Sequence, residues 1–261
     1  PDSHINVDEC GAPEFFSGGA KLITIPGQHG KIDPDALAHE LANSGHHGEH
    51  EVLPSAISIT QCTESGTIYT PSELKDIKNI ANKYSLAMHM DGARFANALS
   101  TLGVSAAEAT WQSGVDLLSF GATKNGAMMA EALIVFNPKY NTQIKRLRKR
   151  SGHLISKMRF IHCQLLAYLT DDLWLKLAHH ANRQARLFAD ALSENELVSL
   201  IHPVEANEVF CRLPVSHIDA LQQQGFEFHR WPGQEGVIRL VFSFATENHD
   251  TERLIQALKS L

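Results

Sequence analysis

Between residues 50 and 140 the spacing of apolar positions switches repeatedly between strand and helix periods. Ala56-Ile57-Ser58-Ile59-Thr60 alternates apolar and polar, as a half-buried strand does. Thr70-Pro71-Ser72-Glu73 then supplies a helix cap, a proline for the first turn and a capping-box glutamate. Leu74, Ile77, Ile80 and Ala81 follow on one helical face, predicting a helix from Ser72 to Tyr84. Ser85 to Met90 reads as the next strand, ended by Asp91-Gly92-Ala93-Arg94 and followed at once by a helix. A short helix over 105–113, a strand from Val115 to Phe120, a turn at Thr123-Lys124-Asn125-Gly126 and a strand from Ala132 to Phe136 complete this half.

Such alternation predicts an α/β protein with a mainly parallel sheet covered by helices. From Gln143 the spacing becomes helical, with a long stretch over 155–193. Strands are then expected at Val209–Leu213, Phe226–Phe228 and Val237–Phe242, and a closing helix from His249 to Ser260. The expected organisation is a large α/β domain over 1–150, then an interdomain helix and a small C-terminal α+β domain over 151–261.

Composition narrows the function. With 43% apolar and 20% charged residues the chain is globular, and no apolar run approaches the roughly 20 residues that span a bilayer. A formal charge of -6 argues against nucleic acid as the main partner, and Lys145, Arg146, Arg148, Lys149 and Arg150 read as a solvated helix face. Cys10, Cys62, Cys163 and Cys211 are widely spaced, with no CxxC and no secretory signal, which predicts reduced thiols in a cytoplasmic protein without disulfide or zinc. His46, His47, Glu49, His50 and Glu51 are the most metal-like cluster, but their polar surroundings offer no scaffold to orient ligands, so a solvated loop is expected.

In sheets of this kind chemistry gathers where strands end, and Asp91 and Lys124 both fall there. On spacing alone Lys124 is an exposed turn lysine and Asp91 a common strand-end residue. Taken together the words say more: His89-Met90-Asp91-Gly92-Ala93-Arg94-Phe95-Ala96-Asn97-Ala98, Gly114-Val115-Asp116, and Ser119-Phe120-Gly121-Ala122-Thr123-Lys124-Asn125-Gly126. Thr60-Gln61-Cys62-Thr63-Glu64-Ser65-Gly66-Thr67, Ser156-Lys157-Met158-Arg159-Phe160 and the strand carrying Arg239 add to them. Their order and spacing resemble the threonine aldolase and β-eliminating lyase family, in its bacterial low-specificity L-threonine aldolase branch.

The resemblance implies the aspartate aminotransferase-like fold (fold type I) and pyridoxal 5'-phosphate (PLP). Lys124 would form the internal Schiff base, Asp91 would pair with the pyridine nitrogen, and Thr123 would be a neighbouring polar contact. Arg94 and Arg239 would grip the substrate carboxylate. His4 matches a histidine that stacks on the cofactor and assists proton transfer, and Glu64 stands where many relatives have a histidine near the substrate hydroxyl. Lys157 and Arg159 read either as phosphate contacts across a subunit interface or as plain helix charges.

The implied reaction is retro-aldol cleavage of threonine, allo-threonine or a related β-hydroxy-α-amino acid to glycine and an aldehyde, in a homodimer or homotetramer. The alternatives are another fold type I enzyme, a β-eliminating lyase or an aminotransferase, or an inactive truncated domain. Relatives implied by the resemblance carry about 80 residues before the position of His4, including a loop whose backbone N–H groups bind the cofactor phosphate. Because the chain opens on Pro1-Asp2-Ser3-His4 without Met, the N-terminal part of the fold is expected to be missing.

Overall fold

The computed structural model describes residues 1–192 and 197–261. Two short helices, α1 (His4–Val7) and α2 (Ala12–Ser17), precede α3 (Pro34–Asn43). Asp33 caps α3 by accepting the Ala36 N–H. β1 (Ala56–Thr60), α4 (Pro71–Lys83), β2 (Ala87–Gly92), α5 (Phe95–Leu102), β3 (Leu117–Gly121) and β4 (Glu131–Val135) then follow in turn. Their sheet has the order β1-β2-β3-β4, with β1, β2 and β3 parallel and β4 antiparallel to β3. The start of α4 is as the sequence predicts: the Thr70 hydroxyl accepts the Glu73 N–H, and the Glu73 carboxylate accepts the Thr70 N–H at 2.7 Å.

Alternation divides this sheet into two unlike faces. Ile57, Ile59, Met88, Met90, Leu118 and Phe120 are buried, in one core with Leu74, Ile77 and Ala81 of α4 and with Phe95 and Leu99 of α5. The intervening residues Ser58, Thr60, His89, Asp91 and Ser119 are half-buried and polar. The register sets Ser58 beside His89, and Thr60 beside Asp91 beside Ser119.

The rest of the chain gives α6 (Asn141–Arg150), α7 (Arg159–Leu169), α8 (Leu173–Leu192), β5 (Ser199–Leu200), β6 (Glu208–Arg212), α9 (Val215–Gln223), β7 (His229–Arg230), β8 (Val237–Val241) and α10 (Asn248–Lys259). A second, antiparallel sheet runs β5-β6-β8-β7. It has its own core, built on Val209, Cys211, Leu221, Ile238, Phe242 and Leu254. Helix α8 joins the two: Trp174 and Leu175 pack on the first core, Phe188 and Leu192 lie in the second.

Four expectations need correction. The expectation of a missing N-terminal part is set aside, because the structure describes the chain from Pro1 and builds His4–Val7 and Ala12–Ser17 into helices. Residues 105–113 are not a helix: Ser105 and Glu108 form a cap-like turn, but Thr110 leaves helical geometry at φ -133°, ψ -104°, and only a 3-10 turn at Trp111–Ser113 follows. The stretch over 155–193 is broken, because Asp171 and Asp172 both take left-handed geometry (φ 52° and 55°) between α7 and α8; its last residue lies outside the described ones. The pairing expected at Phe226–Phe228 falls instead on His229 and Arg230, opposite Arg239 and Ile238, while Phe226 and Phe228 pack against the second core.

Candidate active site

Asp91 ends β2 and is held by its own turn, its Oδ1 accepting the Ala93 N–H at 3.0 Å. The turn passes very close to β3: a Cβ on Gly121 would lie 2.6 Å from the Ala93 oxygen, and one on Gly92 would lie 2.9 Å from the Ser119 oxygen. Glycine at both positions lets the Asp91–Arg94 turn reach the loop after β3. That loop carries Lys124 in a 3-10 turn, Thr123–Asn125. Buried Asn125 anchors it by donating to the Tyr168 hydroxyl at 2.7 Å and to the Trp174 carbonyl at 2.8 Å.

Lys124 keeps an open face to solvent, as a residue in a cleft does. The protein packed around it still lowers its pKa, chiefly by desolvation and next by the Arg94 charge; Asp91 and Glu208 oppose this, and Arg239 adds to it. These five charged side chains therefore lie close enough to feel one another's charge. Arg94 and Arg239 meet on a single oxygen, Glu208 Oε1, each at 2.6 Å.

Glu64 lies close enough to Asp91 to feel its charge. Its Oε1 accepts the His4 N–H at 2.7 Å and the Thr60 hydroxyl at 3.0 Å. Burial raises the Glu64 pKa against the lowering effect of these donors. Within the polar sheet face, His89 bridges Ser58 and Ser119, with both ring nitrogens 2.9 Å from a hydroxyl, and burial lowers its pKa.

Of the residues singled out from sequence, Lys124, Asp91, Arg94 and Arg239 come together, with Glu64 beside them through Asp91. His4 arrives by its backbone, while its ring pairs with Glu9 at 2.7 Å. The Thr123 hydroxyl is engaged with the Ala130 backbone, accepting its N–H at 3.2 Å. Lys157, in the turn before α7, and Arg159, at its start, are exposed, with the Arg159 guanidinium over the Phe160 ring at 4.9 Å. Sequence reasoning missed Glu208, for which the signal was a charge opening the apolar run of β6, and gave no role to Asn125 or His89.

The donor set fits PLP. An amine of lowered pKa, a carboxylate at a strand end, a polar sheet floor and two guanidiniums match an aldehyde, a pyridine nitrogen, an aromatic ring and an amino-acid carboxylate. With its sheet and helix layers, this is the architecture of a fold type I PLP enzyme. The family model for beta-eliminating lyases matches residues 1–215. The low specificity L-threonine aldolase of Pseudomonas aeruginosa is 42% identical over 259 residues, covering 99% of this chain and 73% of that protein. The enzyme of the same name from another Pseudomonas strain is 39% identical and is covered to 74%. The solved threonine aldolase of Leishmania major superposes with a TM-score of 0.90 at 31% identity, over 99% of this chain and 75% of that one. The chain belongs to the beta-eliminating lyase family.

Proposed function

We propose that this chain cleaves threonine, allo-threonine or a related β-hydroxy-α-amino acid to glycine and an aldehyde, with PLP held on Lys124. The observation that carries this is the grouping of Lys124 with the charges of Asp91, Arg94 and Arg239, the two arginines joined on Glu208. When bound, PLP supplies an electron sink for the electron pair of a bond broken at Cα. Asp91 would keep the pyridine nitrogen protonated by charge pairing. The lowered pKa of Lys124 leaves more of its amine free near neutral pH, the form needed to attach an aldehyde.

Arg94 and Arg239 would hold the substrate carboxylate while its amine lies near Lys124, and these two points would decide which Cα bond is presented for cleavage. In this reading it is Cα–Cβ. Glu64 is the group that removes the β-hydroxyl proton. Its raised pKa makes it a stronger base than an ordinary carboxylate, and the His4 N–H and Thr60 hydroxyl fix one of its oxygens. His4 serves through its backbone in this arrangement, and a stacking role for its ring requires it to leave Glu9. Thr123 supports the Lys124 loop through Ala130 and reaches the cofactor only if that bond opens.

The domains divide near residue 150, a reading supported by the two sheets and two cores. The enzyme works as a homodimer or homotetramer in the cytoplasm. Exposed Met128, Met129, Phe160 and Leu166, linked through the Met129 N–H to Gln164 Oε1, support a subunit interface beside the Lys124 loop. Among the described residues no helix is long and apolar enough to cross a membrane.

Borohydride reduction of the PLP-loaded protein tests the assignment. Label should be trapped on Lys124, and Lys124→Ala should lose both the trapped label and threonine cleavage, the latter by roughly a thousandfold or more. Glycine with acetaldehyde as products supports aldol cleavage, whereas a 2-oxo acid with ammonia would assign β-elimination instead.

A further inference from the structure

Glu208 has no part in the chemistry above, yet its side chain is completely buried at the entry of β6. Its Oε1 takes both Arg94 and Arg239 at 2.6 Å, although these come from a loop after β2 and from β8. The strand register explains half of this: Phe210 lies opposite Arg239, so Glu208 is the diagonal neighbour on the same face. Gly66 closes the other side. Its φ is +77°, and a Cβ there would stand 3.1 Å from the Glu208 Cβ. Two groups remain without partners in this buried cluster, Glu208 Oε2 and Arg239 Nε. An N–H donor on a guanidinium is the group that an incoming carboxylate satisfies.

The charges count simply. Two guanidiniums and one carboxylate leave a single positive charge, and a largely buried site responds to each further charge more strongly than open water does. One substrate carboxylate neutralises the cluster; a second would leave an unpaired anion. We propose that Glu208 is a specificity-determining residue: it cancels one charge of the Arg94–Arg239 pair and so limits the grip to substrates with a single carboxylate. Amino acids with a second carboxylate on the β-substituent are thereby rejected. This inference rests on the carboxylate grip proposed above.

Calorimetric titration of the PLP-loaded protein with acetate and with malonate, a dianion at neutral pH, tests it without reference to turnover. Wild type should bind malonate no more than about threefold tighter than acetate, and Glu208→Gln should raise the malonate-to-acetate preference by about tenfold or more. A purely structural role would change both anions alike. A strong malonate preference already present in wild type overturns the proposal even if Glu208→Gln does not fold, and so does an unchanged preference in the variant. Arg239→Gln separates the underlying reading: loss of acetate binding upholds the grip, while unchanged acetate binding removes the grip and this inference with it.

Discussion

The two faces of the β1–β3 layer are made by alternate residues of the same strands, yet they have opposite natures. One face presents Ser58, Thr60, His89, Asp91 and Ser119, half-open and hydrogen-bonded; the other presents Ile57, Ile59, Met88, Met90, Leu118 and Phe120, closed within a core. The difference teaches that chemistry and stability are separated here by one residue of register, about 3.3 Å of chain. Neighbours in sequence should therefore fail in different ways when changed.

Asp91→Asn gives the largest effect. The amide keeps an oxygen to accept the Ala93 N–H, now 3.0 Å from Asp91 Oδ1, so folding should be almost untouched. On the proposed role it cannot supply the negative charge that would keep the pyridine nitrogen protonated, and kcat/KM for threonine should fall on the order of a thousandfold, about 4 kcal/mol. Steady-state kinetics beside thermal unfolding checks both halves. A stability loss comparable with the loss of rate would mean that the polar face also holds the fold.

Met90→Ala, one residue earlier, should do the reverse. Met90 is fully buried, and its removal leaves a cavity under the sheet worth about 3 kcal/mol, or a fall in Tm of roughly 6–12 °C. At 25 °C, where the variant is still folded, kcat/KM should stay within about threefold of wild type. A tenfold loss would show that the core face transmits to the site and would blur the division.

The same contrast decides what the sequence could disclose. The strand alternation at Ala56–Thr60 and the capping box at Thr70–Glu73 are local patterns whose physics is complete within a few residues. Asp91 and Lys124 were legible as members of family words, because each word keeps its own turn geometry. Glu208 was not, since its meaning depends on Arg94 and Arg239, which reach it only after both sheets have formed. Residues 105–113 misled because a Ser105–Glu108 cap is a helix signal that Thr110 then cancels. At Asp171 and Asp172 the helical spacing of apolar residues continued through a backbone reversal that spacing does not record.

The smallest effect belongs to the cap of α4, whose Leu74, Ile77 and Ala81 pack into the core face. Thr70→Ala removes the acceptor for the Glu73 N–H but leaves the other half of the box, because the Glu73 carboxylate still receives the Thr70 N–H at 2.7 Å and Lys31 Nζ at 2.9 Å. The expected loss is about 1 kcal/mol, a Tm drop of roughly 2–4 °C, with unchanged kinetics. Differential scanning calorimetry resolves such a shift. A loss above about 2 kcal/mol would mean that the half-box fails when its threonine goes, carrying away the Lys31 contact as well. The stability of the core face would then depend on a surface cap as much as on its buried side chains, and the Met90→Ala result would have to be read with that coupling included.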